Sequence, residues 1–374
     1  MVPLGEVASI DRSVVEPWSV PGETRYLGLE HIERGGRITG SQTVSASGVR
    51  STKFRFASTQ VLFGKLRPNL GKVARPSFGG LCSTDILPIS PGSELDRDYL
   101  AHYLSQPCMV ALAASRATGA NLPRLSPSVL ASFEIPLPPL PEQRRIAAIL
   151  DKADALRTKR RQVLAHLDTL PHEFFRQIFG SREWPVAPLQ SVATMRLGKM
   201  LDSKRQSGEM PARYLRNANV QWFSIATEDL YEMDFDERER VQFALRGGDV
   251  LVCEGGQPGR SAVWRGAERD VFFQKALHRV RLSDDVDPDY FVYFMWSAVH
   301  GGELKDFVTS ATIAHLTGEK LRTLPIKIPP RELQQQFVRR VHAIGAARLA
   351  AGAAQRETDQ LFASLQSRAF NGQL

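Results

Sequence analysis

The chain is written twice. The segment from Val2 to Ile10 (VPLGEVASI) returns from Ala187 to Met195 (APLQSVATM), and Tyr26-Leu27 returns as Tyr214-Leu215. Val61-Leu62 corresponds to Val250-Leu251, Asp98-Tyr99-Leu100 to Asp289-Tyr290-Phe291, IPLPP at 135–139 to IKIPP at 326–330, and Phe179 to Phe370. From about residue 98 onward the offset between copies stays near 191 residues with no insertion. Scattered chance matches would not hold one register, so the chain is read as two like domains with a variable front part and a better matched back part.

Within each copy the front part carries short β-branched and aromatic runs broken by Gly and Pro, such as QVLFGKLRPNLGKVARP and DVLVCEGGQPGRSAVW. These read as strands and turns. Asp96 and Asp287 are placed to cap a following helix, the second with Pro288 at its first position, and Ser126-Pro127 starts a short one. The proline-rich ramp FEIPLPPLP cannot continue a helix and reads as a stiff hinge.

After each ramp comes a helical pattern of about 40 residues, a rod of roughly 60 Å at 1.5 Å per residue. Apolar residues recur at steps of three and four along both rods, as in a coiled-coil seam. The first seam is Ile146, Leu150, Ala153, Leu156, Leu164 (or Val163), Leu167, Leu170, Phe174 and Ile178, and the second is Phe337, Val341, Ile344, Ala347, Ala351, Ala354, Leu361 and Leu365. Arg160 stands in the middle of the first, facing Ala351-Gly352 if the rods run antiparallel. Two packings are open: each stripe on its own domain, or the stripes on each other. The Arg stem over a small-residue gap favours the second. Pro171 predicts a kink or a break in the first rod.

A length of 374 residues exceeds what one core usually serves, and 43% hydrophobic with 24% charged residues is ordinary for a globular protein. The formal net charge of +8 favours a polyanionic partner. Cys82, Cys108 and Cys253 are scattered without a CxxC or Cys/His ladder, so no disulfide framework or metal site is expected, and a reducing cytoplasm fits. Neither a signal peptide nor a membrane span is evident, and the expected location is cytoplasmic.

The run LPPLPEQRRI at 137–146, the helix ending FRQIFG at 175–180, and the ending AFNGQL at 369–374 together resemble the two repeat-related spacer regions of type I restriction-modification DNA specificity subunits. The second ramp, IPPRELQQQF at 328–337, departs mildly by carrying Arg331-Glu-Leu where the first has Leu-Pro-Glu. The resemblance covers the whole chain. It implies an α+β fold of two similar globular target recognition domains joined by two long antiparallel helices forming a coiled coil, with approximate twofold symmetry. The expected divisions are residues 1–136, target recognition domain 1; 137–182, central spacer helix; 183–327, target recognition domain 2; and 328–374, C-terminal spacer helix.

Members of that family bind asymmetric two-part sites in double-stranded DNA and recruit two methyltransferase (modification) subunits that use S-adenosylmethionine. They also usually recruit translocating restriction subunits. No catalysis, metal or cofactor is expected of this chain itself. It has no [N/D]PP[Y/F] loop, and GGQPGRS at 255–261 lacks the spacing and lysine of a phosphate-binding loop, so it reads as a turn. Two alternatives stay open: a related modification or phage-defence system without a nuclease, and a coiled-coil scaffold that does not bind DNA.

DNA affinity needs cations against phosphates, and discrimination needs Arg, Lys, Asn or Gln at base edges. In the first copy the candidates are Lys65, Arg67, Asn69, Lys72 and Arg75, with Arg116, Asn121 and Arg124 on a later loop. In the second they are Lys199, Lys204, Arg205, Arg213, Arg216, Asn217, Arg260, Lys275, His278 and Arg279, with Thr312 and His315 on the counterpart loop. Any one of these can equally be a solvated surface charge, so the expectation is regional.

Overall fold

The computed structural model describes residues 1–180, 182–202, 208–266, 270–308 and 314–374. It divides into two compact units: residues 1–162 with 353–374, and residues 163–352.

The first unit holds a four-stranded antiparallel sheet ordered Ala8–Ile10, Ile86–Pro91, Val61–Gly64, Val73–Ala74. The second unit repeats that order as Ala193–Leu197, Leu277–Leu282, Val250–Cys253, Ser261–Val263. The central strands VLFG and VLVC are buried at every position, which explains why they read as unbroken apolar runs rather than alternating ones. The duplication is thus a repeated sheet. The neighbouring sheet differs, with five strands in the first unit and, among the described residues, three in the second. Each contains a parallel pair, Arg25–Leu27 with Gly80–Cys82 and Pro211–Leu215 with Val271–Phe273. Here the sequence copies drift.

Asp96 caps helix Arg97–Leu104, accepting from the amides of Asp98 and Tyr99, while Asp287 caps Pro288–Gly301 through Asp289 N–H. Both satisfy amides that a helix start leaves without partners. Ser126 likewise caps Pro127–Ala131.

The two long helices run Leu140–Phe175 and Arg331–Phe370. Pro171 does not break the first: the helix continues four residues beyond it and widens into a π-helical turn at Arg176–Gly180. In the first unit the starting half of one helix lies along the ending half of the other. Ile146, Leu150 and Ala369 are buried in one core with Phe362 and Leu365 against them. In the second unit the halves exchange roles, with Phe174 and Phe175 packed in one cluster with Phe337 and Val341. In each unit the helix halves therefore run antiparallel.

The middle of the predicted seam is displaced by one residue. Leu156 and Leu361 are 44% and 54% exposed. The inward positions are instead Arg157, whose Nε donates to Asp359 Oδ1 at 2.7 Å and whose guanidinium lies 4.2 Å from the Phe362 ring, and the buried Thr358 and Gln366. Steps of three and four are interchangeable in a stretch as polar as KADALRTKRRQ, and an ion pair chose the register that apolar counting missed. Ala153, Arg160, Leu164, Leu167, Ile344 and Ala351 are half-buried.

Each unit is closed by two matching devices. Gln143, fully buried at the start of the first long helix, accepts from Asp96 N–H and donates to the carbonyls of Glu94 and Pro138. Gln334 does the same with Asp287 N–H and the carbonyls of Asp285 and Pro329. Tyr99 and Tyr290 donate their hydroxyls to Pro136 O and Lys327 O. Against each tyrosine sits the phenylalanine that ends the other long helix: Phe370 at 5.2 Å from Tyr99, and Phe179 at 4.9 Å from Tyr290.

Candidate nucleic-acid interface

In the first unit the two loops singled out as DNA candidates meet. Arg67 N–H donates to Pro123 O at 2.8 Å, Leu66 pairs with Arg124 as an isolated bridge, and Leu125 N–H donates to Lys65 O at 2.9 Å. The strand end carrying Lys65, Arg67 and Asn69 is thereby joined to the loop carrying Arg116, Asn121 and Arg124. Arg67, Asn69, Arg116 and Asn121 are exposed, and Lys65 is half-exposed. A pocket of about 260 Å³ at this corner is lined by Leu29, Leu66, Leu70 and Leu122 together with Arg67 and Lys72.

Not every cation in this corner is available. Arg124 is held by Asp85 through two hydrogen bonds, and Lys72 donates to Leu29 O at 2.7 Å. Arg75 is turned away into the body of the unit. It pairs with Asp151 at 2.7 Å and Asp98 at 3.4 Å, tying the sheet to the long helix, and so has a structural task instead of the expected one.

The Arg75 site has a pH consequence. Burial alone would raise the Asp151 pKa, but hydrogen bonds from His102 and Arg75, with the Arg75 charge, hold it well below the usual carboxylate range. A carboxylate depressed on folding stabilises the unit above the unfolded value of about 4 and loses that contribution as pH falls below it. Asp151→Asn is expected to lower the melting temperature of the first unit at neutral pH and to flatten its decline in acid. An unchanged acid profile for the variant would disprove this coupling.

The second unit builds the same corner from other residues. Leu316 N–H donates to Glu254 O at 2.7 Å, matching the bond from Leu125 to Lys65. In that register Glu254 stands for Lys65, Gly256 for Arg67 and His315 for Arg124. Asn217 Nδ2 donates to Gly255 O at 2.6 Å, and Arg260 donates to Asn217 O at 2.9 Å, so both shape the loop from within. His315 is half-buried with its ring beside Gly255. Gln257 is exposed in this loop, within a stretch whose Pro-Gly and Gly-Gly pairs read only as a turn. The signal that could have found it was the alignment of that turn with the Lys65–Asn69 run.

Several second-copy candidates are structural. His278 is 1% exposed with Nε2 3.1 Å from Leu316 O, and its burial pushes the imidazole below its ordinary pKa. It has no surface to offer DNA. Arg279 donates to the carbonyls of Gln242 and Ala244, Lys199 to Glu239 and Asp234 O, and Arg216 to Asp229 beneath Tyr231. Sequence shows a cation but not the carbonyl or carboxylate that folding brings to it. Arg213 and Lys275 are exposed. Lys204, Arg205 and Thr312 lie outside the described residues.

Among the described residues no cluster of His, Cys, Asp and Glu is gathered as metal ligands, and no helix is long and apolar enough to cross a membrane.

Residues 4–166 and 181–355 each match the type I restriction modification DNA specificity domain. The EcoDI type I restriction enzyme specificity subunit of Escherichia coli is 31% identical over 179 residues, covering 46% of this chain and 40% of that protein. The EcoKI specificity subunit of Escherichia coli strain K12 is 23% identical over 295 residues, covering 72% of this chain and 62% of that one. Each match spans less than two thirds of the relative's own length. The fold is similar to that of a chain from a study of complex assembly and conformational transition of the type I R-M system. That likeness has a TM-score of 0.65 at 20% identity and covers 100% of this chain and 97% of the other.

Proposed function

Because this chain belongs to the type I restriction modification DNA specificity family, we propose that it is the DNA-reading subunit of a type I restriction-modification complex, recognising an asymmetric two-part site. One observation carries the reading. Equivalent corners of the two units rest on the same backbone bond, from Leu125 to Lys65 and from Leu316 to Glu254, yet present different polar groups. One scaffold with two side-chain sets is what reading two unlike half-sites requires, since base discrimination lies in the side chains that reach the groove.

In this proposal the chain performs no chemistry. The long helices are the scaffold for two modification subunits, which supply S-adenosylmethionine-dependent methyl transfer, and for restriction and translocation subunits. The complex works in the cytoplasm.

Selection of bound duplexes from a random pool is expected to return two dissimilar blocks separated by unread base pairs. A perfect palindrome would contradict two unlike reading units. Affinity is also expected to fall steeply with salt, by about 10³-fold or more between 50 and 200 mM if six or more phosphates are contacted. Absent or salt-independent retardation of duplex DNA would favour the scaffold alternative.

A further inference from the structure

Arg67 is one of four non-glycine residues with positive φ among the described residues, at 49°, and it directly precedes Pro68. A left-handed backbone is costly for a residue with a Cβ, and a following proline pushes the residue before it towards extended geometry. Counted from the strand that leads in, the corresponding position of the second unit's loop, which is one residue shorter, is Gly256, φ 72°, for which that conformation is free of strain. The first unit therefore keeps an arginine in a backbone conformation that suits glycine.

That arginine does no work inside the unit. Its side chain is exposed and makes no ion pair or side-chain hydrogen bond among the described residues, while the neighbouring Arg124 and Lys72 are tied to Asp85 and Leu29 O. Its amide is fixed to Pro123 O, so the left-handed turn sets the direction in which the side chain leaves the loop. Strain kept at an exposed, unpartnered and rigidly based cation is the pattern of a residue retained for a ligand.

We infer that Arg67 is a specificity-determining residue that reads a guanine in the half-site of the first unit. The inference rests on the DNA-reading function proposed above. A guanidinium presents two parallel donors matching O6 and N7 of guanine in the major groove, a pattern no other base offers. The second unit, with glycine at this position, has no equivalent contact, so the guanine belongs to one half-site alone.

The test is site selection from duplexes with a randomised core, by the full chain and by Arg67→Gly. The glycine fits the observed φ, so the variant is expected to melt at or above the wild-type temperature, which separates recognition from folding. The wild type should show a guanine at one position of one half-site. In the variant the preference for guanine there should drop by about tenfold to a hundredfold, with the other half-site unchanged. An intact motif in the variant overturns the inference. A uniform loss of affinity across all sequences also overturns it, because Arg67 would then hold a phosphate. If the wild type itself shows no sequence preference, the proposed function fails and the inference with it.

Discussion

Phe179→Ala is expected to destabilise the second unit by about 3–5 kcal/mol, the range for removing a fully enclosed aromatic ring from a core. The ring contacts Phe175, Trp184, Tyr290 and Phe337, so deletion leaves a cavity with walls on four sides. The loss should appear by calorimetry as a downward shift of one transition, assigned to the second unit, with the other transition unmoved. A shift below about 1 kcal/mol would mean that the site collapses around the gap, and that the end of this helix is not what closes the unit.

Gln143→Leu should lower the stability of the first unit by about 3 kcal/mol or more, and Gln334→Leu that of the second by a similar amount. Leucine keeps the volume but leaves one amide and two carbonyls buried without partners, each costing about 1–3 kcal/mol. Because the two glutamines make the same three bonds, the two variants should be near equals acting on different transitions. Denaturant unfolding of both variants provides the measurement. If either proves as stable as the parent chain, water must replace the lost bonds, and the glutamine is not a lock.

Much of this architecture was legible because it depends on local or repeated signals. Asp96 and Asp287 announce their helices through cap chemistry, and the register of 191 residues carries that assignment from one copy to the other. Periodicity located both long helices but not their contact line through the middle. A polar stretch offers several faces of similar hydrophobicity, and the Arg157 pairing with Asp359, 202 residues away, decides among them. The same limit governs the candidate interface. That the Lys65 run and the Arg124 loop belong together is a tertiary fact. So is the diversion of Arg75 to Asp151 and of Arg279 to the carbonyls of Gln242 and Ala244. Gln143 and Gln334 stood inside the motifs that suggested the family, but their role depends on carbonyls that only the folded ramp presents.

The ring that seals the first unit comes from residue 370, beyond the whole of the second unit in the sequence, whereas the second unit is one continuous stretch. A ribosome making this protein from its amino end therefore finishes the later half first. Until the second long helix emerges, Tyr99, Tyr103 and the apolar flank of Leu150 wait uncovered, since Phe370 and its neighbours are their lid. Contacts that close so long a loop are slow to form, and exposed apolar surface on a nascent chain invites aggregation. Premature termination or a late frameshift should thus harm the half of the protein already made, by leaving its oldest surface without a cover.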